Sequence, residues 1–211
     1  MKTNRLFVLM LGVMLAMGSA AFAEETAVPA VAAAPSEADQ KAMMEKAKVL
    51  MAPSEAHKVL DNFVGQWNYT SKFWMDPAGE PEVSTGSATQ MLVYGGRFLK
   101  QEVKGTWMGE AFEGVGYTGY DNVRQEYTSV WIDGMMTGIM VSAGQYDAAT
   151  KTLRQAGTVS CPMTGNKNHP CRSELKIVDA DHHTLTSYTN GLDGKEVKAM
   201  EIAYERVKPA V

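Results

Sequence analysis

The chain has 211 residues, of which 45% are hydrophobic and 21% charged, which is typical of one globular domain with additional N-terminal sequence. Its 24 acidic and 20 basic residues give a net charge of −4 at pH 7 and lie mixed along the chain. The sequence has no basic block, so it lacks the electrostatic footprint of a nucleic-acid-binding protein.

Residues 1–23 predict a secretory signal peptide. Lys2 and Arg5 precede an apolar run from Leu6 to Met17, and the small-residue pattern of a cleavage site ends at Ala23. The apolar run is too short for a resident membrane span. We therefore expect cleavage near Ala23, a periplasmic or secreted protein, and no integral membrane segment in the mature chain. Cleavage would change the net charge from −4 to about −6, because two basic residues are lost.

Two helices are predicted after the signal peptide. Residues 24–35 are rich in Ala and Pro and predict a disordered linker. Met43, Ala47 and Leu50 recur at helical spacing after a capping pattern, and predict an amphipathic helix within residues 36–52. Residues 54–63 predict a second, shorter helix, with an apolar face formed by Ala56, Val59, Leu60 and Phe63.

From Trp67 onward the hydrophobic period changes to two, which is typical of β-strands. Strands are predicted near residues 67–73, 82–94, 97–106, 110–120, 126–133, 136–146, 152–161, 171–178, 183–190 and 196–207. Short turns rich in Asp, Asn and Gly join them and leave no room for crossover helices, so the sheet should be an antiparallel meander. Closure would remove its edges. We therefore predict an all-β domain over residues 53–208, a closed meander barrel of about ten strands.

A Gly-x-Trp sequence marks the start of the first strand. Gly65 would let the chain turn out of the short helix, and Trp67 would close the bottom of the barrel. Arg206 in the last strand shares the inward face and would stack on Trp67 when the barrel closes, a contact worth about 1 to 2 kcal/mol when desolvated. These three residues are interpreted as structural.

These features resemble the calycin pattern of lipocalins. The chain more specifically resembles a bacterial family called domain of unknown function 1579, through stretches between residues 54 and 207 that include "SEAHKVLDNFVGQW", "TSVWIDGMMTGIMVS" and "MEIAYER". The resemblance implies a lipocalin-like barrel and no particular reaction. The chain resembles nitrobindin barrels, which hold haem, more distantly. Their Gly-x-Trp-x-Gly-x-Gly opening is absent here, so no cofactor is predicted and haem stays an unsupported alternative.

Cys161 and Cys171 predict one disulfide, because both would remain in an exported chain. Alternation places both cysteines on the inward face of neighbouring strands, which suits a cross-strand bond. A loop of this length implies a stabilisation of about 3 kcal/mol.

Glycines on inward faces suggest unfilled space inside the barrel. Gly114 and Gly116 follow Phe112 on one strand face, and Gly138 and Gly144 share a face with Met136 and Met140. They indicate either a ligand cavity or bulges that tighten the barrel. The leading hypothesis is an exported barrel that binds a small apolar or amphipathic ligand, entering opposite Trp67 and Arg206. The predicted lining residues are Tyr69, Phe73, Met91, Phe112, Trp131, Met136, Met140 and Met200.

Signals for catalysis or metal binding are weak. No nucleophile elbow, His-Glu-x-x-His or phosphate-binding loop occurs, so no catalytic residue is predicted and a non-enzyme is favoured. Met135 and Met136 would face opposite sides of a strand, and His182 and His183 would lie in a solvated turn, so no metal site is predicted. Two alternatives stay open: a haem or enzymatic barrel with an inward polar cluster, and a filled scaffold whose first helix binds an unknown protein partner.

Overall fold

A computed structural model describes residues 35–191 and 193–208. The predicted signal peptide (1–23) and nearly all of the predicted linker (24–34) lie outside the described residues. In the part that is described, no helix is both long and apolar enough to cross a bilayer.

The first helix, α1, spans Glu37–Met51, as predicted. It begins with a capping box, in which the Ser36 hydroxyl accepts the Asp39 N–H at 3.2 Å and the Asp39 carboxylate accepts the Ser36 N–H. No residue of α1 is buried. Its C-terminal end is held to the barrel by Arg97, which donates to the Met51 carbonyl at 2.9 Å, and by Asn122, which donates to Leu50. The predicted apolar stripe is therefore only partly covered, with Met43 exposed and Ala47 and Leu50 half-buried.

The second helix is a 3₁₀ helix, Glu55–Phe63, that covers one end of the barrel. Leu60 and Phe63 point into the barrel and are almost fully buried. They pack with core residues from the strands, namely Leu99, Tyr127, Leu153 and Ile177. The Tyr127 hydroxyl also donates to the Ala56 carbonyl at 2.6 Å. We call this the closed end.

Ten strands form the closed antiparallel meander that the alternation predicted, and β1 completes the barrel by pairing with β10. They are β1 (Gly65–Phe73), β2 (Glu82–Val93), β3 (Phe98–Trp107), β4 (Glu110–Asp121), β5 (Glu126–Asp133), β6 (Met140–Asp147), β7 (Thr152–Val159), β8 (His169–Ile177), β9 (His182–Asn190) and β10 (Glu196–Arg206). Each strand pairs with its neighbours in sequence, so inward and outward residues alternate around the whole wall.

Trp67 and Arg206 are directly opposite one another where β1 meets β10. The guanidinium lies 4.0 Å from the centre of the indole, and the indole N–H donates to the Phe63 carbonyl at 2.8 Å. Arg206 also donates to the carbonyls of Asn62, Val64 and Ala180. Gly65 has φ +139°, and a Cβ there would clash with the Arg206 guanidinium. The predicted contact between Trp67 and Arg206 is present, and it joins the 3₁₀ helix to the first and last strands of the barrel.

The sixth strand is shorter than predicted, because it begins at Met140 and not at residue 136. The Asp133 carboxylate accepts the N–H groups of Met135 at 2.9 Å and of Met136 at 3.0 Å. This side-chain turn ends β5 and uses the donors that a strand ladder would need. Met136 and Gly138 therefore lie in the β5–β6 loop.

The inward glycines accommodate aromatic rings of neighbouring strands. A Cβ on Gly114 or Gly116 would meet the Trp131 indole, and one on Gly86 or Gly105 would clash with Tyr69. The β3–β4 and β4–β5 ladders run without a bulge at Gly114 and Gly116, so the bulge interpretation is wrong there, and Trp131 occupies the space beside both glycines.

Candidate ligand site at the open end of the barrel

Apolar side chains line the inner wall at the end opposite the 3₁₀ helix, and we call seven of them the mouth ring. They are Phe73, Trp107, Phe112, Trp131, Met140, Cys171 and Met200. The register aligns them across strands, with Phe73 opposite Met200 and Trp131 opposite Met140. All seven are half-buried, unlike the fully buried residues of the closed end.

The four aromatic members of the mouth ring form a continuous arc over β1, β3, β4 and β5. The rings of Phe73 and Trp107 have centroids 4.3 Å apart, and Phe112 lies 6.5 Å from both Trp107 and Trp131. The planes of Phe112 and Trp131 differ by 19°, so these two rings are stacked. Such an arc offers flat apolar surface to a planar or apolar ligand.

Five of the predicted lining residues lie in the mouth ring: Phe73, Phe112, Trp131, Met140 and Met200. Tyr69 faces inward too but lies deeper, buried in a cluster with Trp67, Ala88, Val103 and Tyr204. The prediction for Met91 is wrong, because its neighbour Gln90 takes the inward position and leaves Met91 40% exposed outside. Met136 is in the β5–β6 loop and not on the wall.

Two residues of the mouth ring were missed as lining residues. Trp107 was missed because the third strand was predicted to end at residue 106, one residue too early. The alternation Leu99, Val103, Gly105 gives the same inward parity and could have identified Trp107. Cys171 was missed because a disulfide had been assigned to it.

The predicted disulfide is wrong, since both cysteines are free in the structure. Cys171 lies opposite Gly157 in the β7–β8 ladder, whereas β7 ends at Val159. Cys161 follows in a turn, where its N–H donates to the Asn166 carbonyl at 2.9 Å. The register thus places Cys161 four residues beyond the position that faces Cys171.

The environments of the two thiols differ. Burial raises the pKa of Cys171, whereas hydrogen bonds from Thr164 lower the pKa of Cys161. The Sγ atom of Cys171 lies 4.0 Å from Sδ of Met140, so two sulfur atoms meet at the mouth.

Below the mouth ring the inner wall carries a belt of hydroxyl and carboxamide groups. Several members satisfy one another: Ser71 and Ser84 are 2.7 Å apart, and Ser129 bonds both Thr118 at 2.8 Å and Gln155 at 2.9 Å. By register, Ser142, Ser173 and Ser187 also face inward, and we call them the free serines. Their hydroxyls form no hydrogen bond with any residue described here and are not fully buried. They are available to a ligand or to water.

The inner wall between the mouth ring and the closed end is uncharged over the described strands. Charge is found at the mouth itself, where Glu82, Glu110 and Asp133 have inward parity. The Asp133 carboxylate accepts the Trp131 indole N–H at 2.8 Å as well as the two loop donors, which fixes the indole plane. An acidic mouth disfavours anions and admits neutral or cationic molecules.

His183 lies at the closed end, although it was predicted to be in a solvated turn. It is 2% exposed, its ring stacks on Tyr204 at 4.3 Å, and it meets the Trp67 ring edge-on at 4.3 Å. Burial, with Arg206 nearby, lowers its pKa to about 3. Its Nδ1 is buried without a partner among the described residues. His183 therefore lies away from the mouth, where a haem or enzymatic barrel would need such a group.

Residues 35–191 and 193–208 contain no group of three or more His, Cys, Asp or Glu residues that could hold a metal ion.

A closed ten-stranded antiparallel meander with a capped end and an open, apolar mouth is a calycin-like barrel. Residues 52–206 match the family model described as "protein of unknown function (DUF1579)", and the chain belongs to that family. This confirms the resemblance drawn from the sequence.

Solved structures with a similar fold have low sequence identity to the chain. Rv2717c from M. tuberculosis is 14% identical, with a TM-score of 0.56 over 74% of this chain and 100% of that protein. The S-type phycobiliprotein lyase CPES from Guillardia theta is 12% identical, with a TM-score of 0.51 over 77% of this chain and 98% of that protein. At these identities the likeness shows the shared fold. A comparison with curated proteins gives no match.

Proposed function

We propose that the barrel binds a small, uncharged amphipathic molecule through the mouth ring, with its apolar part on the aromatic arc and its polar part on the free serines. The fold is consistent with ligand binding, and the open end supplies the chemistry. The observation that carries this proposal is the half-exposure of the seven apolar residues on the inner wall of a closed barrel.

The exposure of deeper residues argues against a filled scaffold. Leu185 and Ile202 face inward in mid-strand, where a packed interior would bury them, yet both are only half-buried. Ser173 and Ser187 are directly opposite each other in the ladder and share this exposure without bonding to each other. This exposure supports an inner wall that is accessible below the mouth ring, as a binding cavity requires.

The first test uses N-phenyl-1-naphthylamine, a neutral fluorescent probe, and its sulfonated analogue 1-anilinonaphthalene-8-sulfonate. Because the wall is uncharged and the mouth is acidic, we expect the neutral probe to bind at least tenfold more tightly. Native mass spectrometry of the purified protein, compared with its denatured mass, would reveal a ligand carried from the cell.

Trp131→Ala removes one end of the aromatic arc and should weaken binding of the neutral probe about tenfold or more, since aromatic contacts dominate small binding sites. Trp74→Ala is the matched control, because Trp74 lies beyond β1 against Lys198, whose ammonium is 4.3 Å from its ring. Equal losses in both variants, or tighter binding of the sulfonated probe, would contradict the proposal.

We also propose that the protein acts after export, on the strength of the signal-peptide pattern in residues 1–23. Expression of the full chain, followed by cell fractionation and N-terminal sequencing, should give a mature protein that begins at Glu24. An uncleaved chain in the cytosolic fraction would contradict this proposal.

A second candidate function rests on α1. Met43, Met44, Val49 and Met51 are 58% to 73% exposed, although apolar residues usually find cover. This exposure favours a helix that packs against another protein chain. Sedimentation velocity on the mature chain and on a version beginning at Pro53 would test self-association, which should vanish without the helix. A mature chain that stays monomeric at all concentrations would exclude self-association.

A further inference from the structure

We propose that Met140 and Cys171 form a binding site for a soft monovalent metal ion of the copper(I) class, with His169 as the third ligand. The site lies at the mouth, on β6 and β8. It does not depend on an organic ligand, since it uses the sulfur atoms and not the aromatic arc.

The sulfur atoms meet because the strand between them has no side chain at that level. Cys171 on β8 is directly opposite Gly157 on β7, and Gly157 is opposite Ser142 on β6. The backbone of Gly157 lies so close to β6 that an added Cβ would clash with the Val141 carbonyl. Met140, two residues before Ser142, can therefore reach across Gly157, and its Sδ comes within 4.0 Å of Cys171 Sγ.

This separation fits a shared ion. Metal–sulfur bonds of about 2.3 Å would let one ion contact both atoms in a bent arrangement, which leaves space for a third ligand. A thiolate with a thioether is a soft ligand set and selects copper(I) over hard cations such as magnesium or calcium. The pair is also half-buried, so an ion there would be sheltered while retaining access from the mouth.

His169 is the candidate third ligand by its position on β8. It is two residues before Cys171 on β8, so both side chains have inward parity. Its ladder partner is Val159, which continues the β7 row above Gly157. His169 is half-buried, and its side chain has no hydrogen bond to the described residues. An imidazole completes many sites for soft transition metals.

Uptake is a simple exchange. The ion replaces the proton of the Cys171 thiol, so Cys–SH and M⁺ give Cys–S–M and H⁺, with no change of oxidation state. Binding should therefore release one proton per ion and weaken as pH falls.

The test uses silver(I), which has the ligand preference of copper(I) and needs no reductant. The reduced mature protein is titrated with silver nitrate in the presence of excess glutathione, and bound silver is counted by native mass spectrometry. Glutathione removes silver from ordinary thiols, so only a site with additional ligands should keep it. We expect one silver ion per chain and one proton released.

Three variants test the ligands and two serve as controls. Cys171→Ser should abolish silver retention. Met140→Leu should weaken silver binding at least tenfold, and His169→Gln should weaken it severalfold. Cys161→Ser is the matched thiol control. Met135→Leu is the matched thioether control, since Met135 is 51% exposed in the β5–β6 loop. Both controls should retain silver like the wild type.

Other outcomes would overturn the assignment. Loss of silver in Cys161→Ser equal to that in Cys171→Ser would mean that the two cysteines hold the ion together. Wild-type affinity in Met140→Leu would show that the thioether is not a ligand. Wild-type affinity in His169→Gln would show the same for the imidazole. Failure of the wild-type protein to retain silver against glutathione would show that the proposed metal site does not exist. Unchanged far-ultraviolet circular dichroism in each variant ensures that these differences concern binding and not folding.

Discussion

The two ends of the barrel use the same strands but differ in how they treat their large side chains. At the closed end, Trp67 and Phe63 are 1% exposed, and the guanidinium of Arg206 joins three backbone carbonyls there. At the open end, aromatic residues of the same size are half-buried, and Ser173 and Ser187 have free hydroxyls. The comparison indicates that tightly packed and accessible apolar side chains are separated along the barrel axis. A change at the closed end should affect folding, and one at the open end should affect binding.

The sharpest test of this separation is Trp67→Ala. It removes a buried indole, its hydrogen bond to Phe63 and the stacking partner of Arg206, so the free energy of unfolding should fall by about 3–5 kcal/mol. Guanidinium denaturation measures the loss. Trp74→Ala, outside the barrel, should lose far less, and similar losses in both variants would contradict the special role of the closed end.

The next largest effect concerns pH. His183 has a folded pKa of about 3 against 6.5 in the unfolded chain, so the unfolded state binds the proton first as pH falls. Its contribution to stability is therefore complete above pH 6.5 and declines below it, by about 2 to 3 kcal/mol between pH 6.5 and 4.5 at 1.36 kcal/mol per pKa unit. The pKa of His57 is also lowered, chiefly by burial, and adds in the same direction.

Denaturation curves of the wild type and His183→Gln over this pH range would measure the contribution. The slope of stability against pH should be shallower in the variant, with the remainder due to His57 and to carboxyl groups such as Glu196, whose pKa values are also lowered. A variant with the wild-type slope would show that His183 is not the group being titrated.

A smaller loss is expected from Gly86→Ala, in the inner wall beside Tyr69. A Cβ there would clash with the Lys104 carbonyl and the Tyr69 ring, and such overpacking typically costs about 1–3 kcal/mol. Gly134→Ala is the control, because its nearest neighbour would be 3.7 Å away. Thermal unfolding should separate the two variants, and an unchanged melting temperature for Gly86→Ala would indicate that Tyr69 can move aside.

The smallest effect on stability should come from the free serines. Ser173→Ala with Ser187→Ala removes hydroxyls that have no partner in the described structure, so stability should change by less than about 0.5 kcal/mol. Ser71→Ala, which removes the 2.7 Å bond to Ser84, should cost about 1 kcal/mol. If the double variant is equally destabilised, the free serines are structural and the two ends differ less than proposed.

The sequence predicted the barrel well, because alternation and turn residues act locally. The closure through Trp67 and Arg206 followed from their positions in the first and last strands. The candidate ligand site was harder to predict, since hydrophobicity misled the assignment of β2. Gln90, a polar residue, points inward to within 3.5 Å of His183, while apolar Met91 points outward.

Other errors came from a side-chain turn and from the register between strands. The Asp133 turn shortened β6 and removed Met136 from the wall, although the residues alone suggested a longer strand. The approach of Met140 to Cys171 requires the alignment of three strands over Gly157, which no local pattern contains. The same register placed Cys161 out of reach of Cys171.

The pairing of β1 with β10 also has a kinetic consequence. Arg206 donates to the Val64 carbonyl across 142 positions of sequence, so the barrel cannot close until its last strand has formed and paired with β1. Closing the long loop between such distant segments costs entropy before any contact between them stabilises the chain, and this slows folding. The nine other strand pairs connect sequence neighbours and can form progressively. We therefore expect a slow final phase in refolding, followed by tryptophan fluorescence, as the Arg206 guanidinium stacks on Trp67.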